Sequence, residues 1–81
     1  MLSKDEVREK ALKGAPLWFE PLDNSPLACG WVLSNIYPPF LNEVYLRDNN
    51  AQLHWYNLKT YGKTWRCWAQ PLDKETDINV E

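Results

Sequence analysis

The chain has few of the residues that perform catalytic, metal or redox chemistry: its 81 residues include one histidine, His54, one methionine, and two cysteines, Cys29 and Cys67. Two cysteines cannot build the dense disulfide framework of a small secreted domain. Both are therefore expected to be reduced and buried, with a single bridge as the alternative. There is no CxxC pair, and one histidine falls short of the four ligands of a structural zinc site, so neither a metal nor a cofactor is expected. Long apolar runs are absent, which excludes a membrane-spanning helix. Residues 3–13 are charged throughout, where a secretory signal would be apolar, and a cytoplasmic protein is expected. A basic surplus is lacking too: 9 Lys and Arg stand against 11 Asp and Glu, a net charge of −2, which disfavours a general nucleic-acid binder but leaves room for a local basic patch.

What the chain does have is aromatic residues, with five Trp, four Tyr and two Phe. Eighty-one residues make one small domain, which buries only about 60–65% of the surface its unfolded chain exposes. Large rings supply much buried area per position in such a chain. Hydrophobic content of 44% excludes a disordered chain. The domain is expected over 1–72, with a polar, acidic tail over 73–81 that should fray.

The order of elements follows from local signals. Ser3 can cap a helix, Glu6 completes a capping box, and Gly14 with Pro16 ends it, so a helix is predicted over 3–13 with Val7, Ala11 and, at its margin, Leu12 as its narrow apolar stripe. A first strand over 17–22 alternates Leu17 and Phe19 against Trp18 and Glu20, and Pro21 marks an edge or a strand end. A second over 29–35 alternates Cys29, Trp31 and Leu33 against Gly30, Val32 and Ser34. Both of its faces are apolar, as in a central strand. Between it and the next strand, Pro38-Pro39 forces an irregular extended loop, from which Phe40 or Leu41 is expected to fold back onto the core.

Residues 43–70 read as three successive antiparallel strands, about 43–48, 51–58 and 64–70. Asn49-Asn50 suits a two-residue type I′ turn, which sets Leu46 opposite Leu53 and Val44 opposite Trp55. Val44, Leu46, Leu53, Trp55, Trp65 and Cys67 then form the core face. Together the segments predict an α+β, mainly β fold: a short N-terminal helix followed by a five-stranded antiparallel SH3-like barrel or strongly curved sheet. The second choice is an open antiparallel sheet with the helix packed on one face.

Candidate sites are sparse. Gly62-Lys63-Thr64 fails as a phosphate-binding loop, because Asn57 stands where its first glycine belongs and a strand follows instead of a helix. Cys67 points away from His54 in the predicted register, so a Cys/His nucleophilic pair is disfavoured, and no catalytic residue is expected. The candidate binding residues are Tyr45, Arg47, His54, Tyr56, Arg66 and Trp68 on the outward face of the three-strand unit. Exposed aromatic and arginine side chains together are of the kind that dominate binding hot spots. The bland alternative is that these rings cover the helix, the proline loop or one another.

Tyr61-Gly62-Lys63-Thr64-Trp65, followed by Arg66-Cys67-Trp68-Ala69, resembles the C-terminal strand of small uncharacterised proteins of phages and prophages of Gram-positive bacteria, in which a YGKTW stretch precedes an aromatic and basic residues. Gly14-Ala15-Pro16-Leu17-Trp18-Phe19-Glu20 is similar to their opening strand, and Trp31 falls where they carry a second strand tryptophan. The Pro38-Pro39 loop and the Cys67-Trp68 pair depart from that pattern. The resemblance implies a phage accessory protein and brings no catalytic residues with it.

The resulting expectation is a non-enzymatic phage or prophage accessory protein that acts as a small protein-binding module on a host or phage protein. One variant is an inhibitor of a host defence nuclease, in which an acidic domain competes with nucleic acid for a basic cleft. The rival is a nucleic-acid-binding barrel that uses the aromatic and arginine face.

Overall fold

Ser3 Oγ accepts the backbone N–H of Glu6 at 3.1 Å while Glu6 Oε1 accepts that of Ser3 at 2.9 Å, which is the capping box the sequence implies. It opens α1, Lys4–Leu12, whose buried residues are Val7 and Ala11. The helix ends at Gly14, whose φ of 68° is a left-handed conformation that glycine adopts without a Cβ clash. The computed structural model describes residues 1–71; the tail expected over 73–81 lies outside the described residues. No helix among the described residues is long and apolar enough to cross a membrane.

Five strands follow: β1 Pro16–Pro21, β2 Gly30–Asn35, β3 Glu43–Arg47, β4 Leu53–Asn57 and β5 Trp65–Trp68, with a 3₁₀ turn at Leu58–Thr60 between the last two. They form one antiparallel sheet in the order β4-β3-β2-β1-β5. β2 is the central strand, as its two apolar faces imply, and Pro21 ends β1. The sheet is not closed, since its edge strands β4 and β5 share no ladder. It is strongly curved nonetheless. In a flat sheet, edge strands four spacings apart would lie about 19 Å from each other. Yet Tyr56 of β4 and Trp65 of β5 have ring centroids 5.3 Å apart, and Trp65 Nε1 donates to Asn57 O at 3.1 Å.

The concave face holds the core. Leu17, Phe19, Val32, Val44, Leu46, Trp65 and Cys67 meet Val7 and Ala11 of α1 there, joined by Leu27, Ile36, Leu58 and Tyr61. α1 lies against β2, and Ser34, fully buried on that strand, donates Oγ to Ala15 O at 2.7 Å. Leu2 N donates to Cys67 O at 3.0 Å, so the N-terminal segment covers the β5 edge.

Two expectations about the loops are corrected. Neither Phe40 nor Leu41 returns to the core; both are exposed, and the apolar residue buried just before the loop is Ile36. The cis Pro38-Pro39 loop is held from the helix instead, by Arg8, which donates Nε to Leu41 O at 3.0 Å and a terminal nitrogen to Asn42 Oδ1 at 3.1 Å. Cys29 is exposed in a loop and not buried in a strand, whereas Cys67 is buried. Burial pushes the Cys67 thiol up to about 12.

Candidate functional site

The hairpin register decides which residues face outward, and it differs from the predicted one by a single residue. Asp48 N donates to Gln52 O at 3.0 Å and Ala51 N to Asp48 O at 3.0 Å, so the loop has three residues, with Ala51 at a left-handed φ of 63°. Asp48 drives this choice. Its Oδ1 accepts the N–H groups of Asn50 at 2.8 Å and Gln52 at 3.0 Å, a side-chain turn that competes with the two-residue type I′ loop. The ladder therefore pairs Arg47 with Leu53, Leu46 with His54, Tyr45 with Trp55 and Val44 with Tyr56. Because side chains alternate along a strand, this shift turns every β4 residue over.

Leu53 and Trp55, expected in the core, are 60% and 53% exposed on the convex face. His54 and Tyr56, expected on the convex face, lie on the concave side instead. Tyr56 packs its ring on Phe19 at 5.1 Å and its hydroxyl on Ser25 Oγ. His54 Nε2 lies 2.9 Å from Asp48 Oδ2, and the contact with a carboxylate requires that nitrogen to be the protonated one. This bond, followed by those from Gln52 and Asn50, holds the Asp48 carboxyl below its ordinary value. Shallow cavities border His54, one of about 250 Å³ beside Ser25 and Tyr56, another of about 340 Å³ beside Cys29. Ser25 Oγ is engaged by Tyr56 and by Leu27 N, and both Asp48 oxygens serve the turn and His54, so these groups act as structural ties.

The other four expected residues lie on the convex face, but only Tyr45 and Arg47 lie in its open part. Trp68, expected to be exposed, is 2% accessible, with the Arg66 guanidinium 5.2 Å from its ring centroid. Arg66 in turn pairs with Glu20 across the β1–β5 ladder.

Ladder registers lay out the convex face in rows. One row runs Leu53, Arg47, Leu33, Pro16; the next runs Trp55, Tyr45, Asn35; a third runs Trp31, Trp18, Trp68. Trp31 and Leu33 join Leu53 and Trp55 as exposed large apolar residues, and Tyr37, also exposed, sets its ring 5.4 Å from Tyr45. The β2–β3–β4 half of the sheet thus presents indole, phenol and leucine side chains around one arginine. A groove of about 180 Å³ opens at its end, lined by Pro16, Trp31, Leu33, Arg47 and Asn49. Sequence reasoning missed Trp31, Leu33, Leu53 and Trp55 as surface residues. For Leu53 and Trp55 the signal that could have found them was Asp48, whose capacity for an Asx turn favours the longer loop. For Trp31 and Leu33, on a strand with two apolar faces, the sequence carries no such signal.

Chemically, this convex face offers exposed planar rings and leucine side chains, with the Arg47 guanidinium and the Glu43 carboxylate at either end of β3, which suits it to binding. Among the described residues no cluster of His, Cys, Asp or Glu could hold a metal ion. The chain matches no family model, no curated protein and no solved structure.

Proposed function

We propose that this is a non-enzymatic protein-binding module whose partner docks on the convex face of β2, β3 and β4. The observation that carries the reading is the contiguous exposure of Trp31, Leu33, Leu53 and Trp55 on one sheet face. Monomeric domains rarely leave such an apolar surface open unless something covers it. Exposed Trp and Tyr beside an Arg are the residues that most often dominate binding energy. The resemblance of its YGKTW segment to small phage and prophage proteins supports an accessory role in a bacterial cytoplasm. A partner among host defence nucleases is the variant that its acidic balance favours.

The test compares wild type with Trp31→Ala/Trp55→Ala in capture from host lysate, with far-UV circular dichroism as the folding control. The reading expects loss of the captured partner from a folded double variant. Retention of the partner would move the binding surface elsewhere. The nucleic-acid reading has one observation in its favour, the ring-rich sheet face beside Arg47. A single-stranded DNA titration across salt separates the two: steep, Trp55-dependent weakening with salt would support that reading, and no binding at low salt would remove it.

A further inference from the structure

The three arginines of the chain differ in their partners. Arg8 is tied to Asp5, Leu41 and Asn42, and Arg66 to Glu20. Arg47 is exposed on the convex face and forms no ion pair among the described residues. The nearest carboxylate in sequence, Asp48, is occupied by Asn50, Gln52 and His54. A second charge shares the strand: Glu43 stands on the same face of β3, four residues from Arg47, and it too forms no ion pair among the described residues. Four residues of strand span about 13 Å, so the two cannot meet within one chain. Tyr45 lies midway between them.

From this placement we infer that the convex face binds a second copy of this chain, two-fold symmetrically about Tyr45, so that Arg47 of each copy meets Glu43 of the other. The inference rests on the convex face being the binding surface proposed above. A two-fold axis lying between the stacked sheets, across the strands at the Tyr45 row, reverses strand direction and keeps β3 over β3. The row Leu53, Arg47, Leu33 then faces the row Asn57, Glu43 and the adjoining Tyr37, while Trp55 faces its own symmetry mate. Every apolar residue in that match meets an apolar or uncharged one, and each charge meets its opposite. Any displacement that set Arg47 over Arg47 would leave two like charges desolvated, which fixes the register. The face is convex, so β2 and β4 fall away to either side and reach across only through their larger side chains. The two copies come closest along β3, where face-to-face sheets pack about 10 Å apart with strands inclined by about 30°. That gap is within the combined reach of an arginine and a glutamate. Arg47 and Glu43 also lie only two residues from the axis, where the inclination displaces them least.

The patch is three strands wide and five residues long, roughly 14 Å by 16 Å by strand spacing. This is about a quarter of the roughly 800 Å² per partner of a standard interface, so only a weak, reversible dimer is expected, with a dissociation constant of about 100 µM.

Sedimentation equilibrium up to about 500 µM protein at low salt is the test, because a weak dimer is populated only near or above its dissociation constant. The wild-type mass should rise from 9.6 kDa toward twice that value. Arg47→Glu alone and Glu43→Arg alone should each weaken association at least about tenfold, since each sets like charges at both contacts. An equimolar mixture of the two variants should regain it, because the mixed pair restores both opposite-charge contacts. Both positions are on the surface, and circular dichroism confirms that the variants fold. A wild type that stays at 9.6 kDa would overturn the inference. So would a dimer indifferent to Arg47→Glu, or a mixture no more associated than its parts. If the protein is monomeric but Trp31→Ala/Trp55→Ala still abolishes capture of another protein, the symmetric pairing fails and the binding face stands. If neither association nor capture responds to Trp55, the face itself is refuted.

Discussion

The two faces of this sheet are built from the same residue types and do different things. On the concave face Trp65 is fully buried, its N–H is satisfied by Asn57 O, and Phe19, Tyr56 and Tyr61 stand around its ring. On the convex face Trp31 and Trp55 are half exposed, and the buried Trp18 N–H has no partner among the described residues. Tryptophan content therefore says little about where a core lies. What separates a structural indole from a contact indole is whether its polar atom is satisfied and its ring enclosed.

The largest expected effect tests that contrast directly. Trp65→Ala should cost about 3–5 kcal/mol, enough to abolish cooperative unfolding in a domain of this size, whereas Trp55→Ala should change stability by no more than about 0.5 kcal/mol. Urea titrations of the two variants check it, and equal losses would break the distinction between the faces. Next comes Tyr61→Phe. The hydroxyl donates to Leu2 O at 2.6 Å and accepts the Cys67 N–H at 3.1 Å, joining the N-terminal segment to the β5 edge. Burial pushes its pKa up to about 12. Removing it leaves buried groups on both sides without a partner, at a cost of about 1–3 kcal/mol, read as a shift in the urea midpoint at constant slope.

These predictions depend on a register that was only partly legible in the sequence. The capping box at Ser3 and Glu6, the alternation of Leu17 and Phe19, and the two apolar faces of β2 were readable because each is a local pattern with one outcome. The fourth strand was not. Leu53, His54, Trp55 and Tyr56 offer an apolar or aromatic residue to either side, so periodicity alone could not choose a face. The choice rests on Asp48 capturing two N–H groups of its own loop, a local preference between two turn types that the alternation of β4 does not report. Trp68 escaped for another reason: beside Arg66 on its own strand, it is covered with the help of Glu20 on β1, which is distant in sequence.

The loop can be probed by itself. Ala51 holds a left-handed conformation that costs a non-glycine residue about 1–2 kcal/mol. Glycine relieves that strain but adds unfolded-state entropy of about 0.5–1 kcal/mol, so Ala51→Gly should stabilise by up to about 1 kcal/mol, seen as a higher Tm. A lower Tm would mean that the three-residue loop does not set the outward face of β4. Asp48 supplies the pH arm. Its pKa is lowered in the folded state, so its contribution is full above the ordinary carboxyl value of 3.8 and is lost as pH falls below it. Glu6, lowered by its bonds to Ser3, adds loss in the same direction below 4.5. Asp48→Asn should flatten the acid limb of the stability profile, and a limb unchanged in shape would remove Asp48 as the residue that holds the register.

The smallest expected effect is the most discriminating for the convex face. Trp18 sits between Trp31 and Trp68 in register, edge-on to Trp31 at 5.6 Å, with its N–H buried and unpaired. An unsatisfied buried donor costs about 1–3 kcal/mol, so Trp18→Phe removes a penalty along with the indole. The substitution also gives up ring area and part of an edge-to-face contact of about 0.5–1.5 kcal/mol. The two nearly cancel, and a change within about 0.5 kcal/mol of wild type is expected. The matching change on the other face, Trp65→Phe, should destabilise clearly, because there the lost N–H leaves Asn57 O with one donor fewer and opens space in a closed core. Similar losses for the two would mean that Trp18 is held as tightly as Trp65, and that the convex face is a second core rather than a surface awaiting its partner.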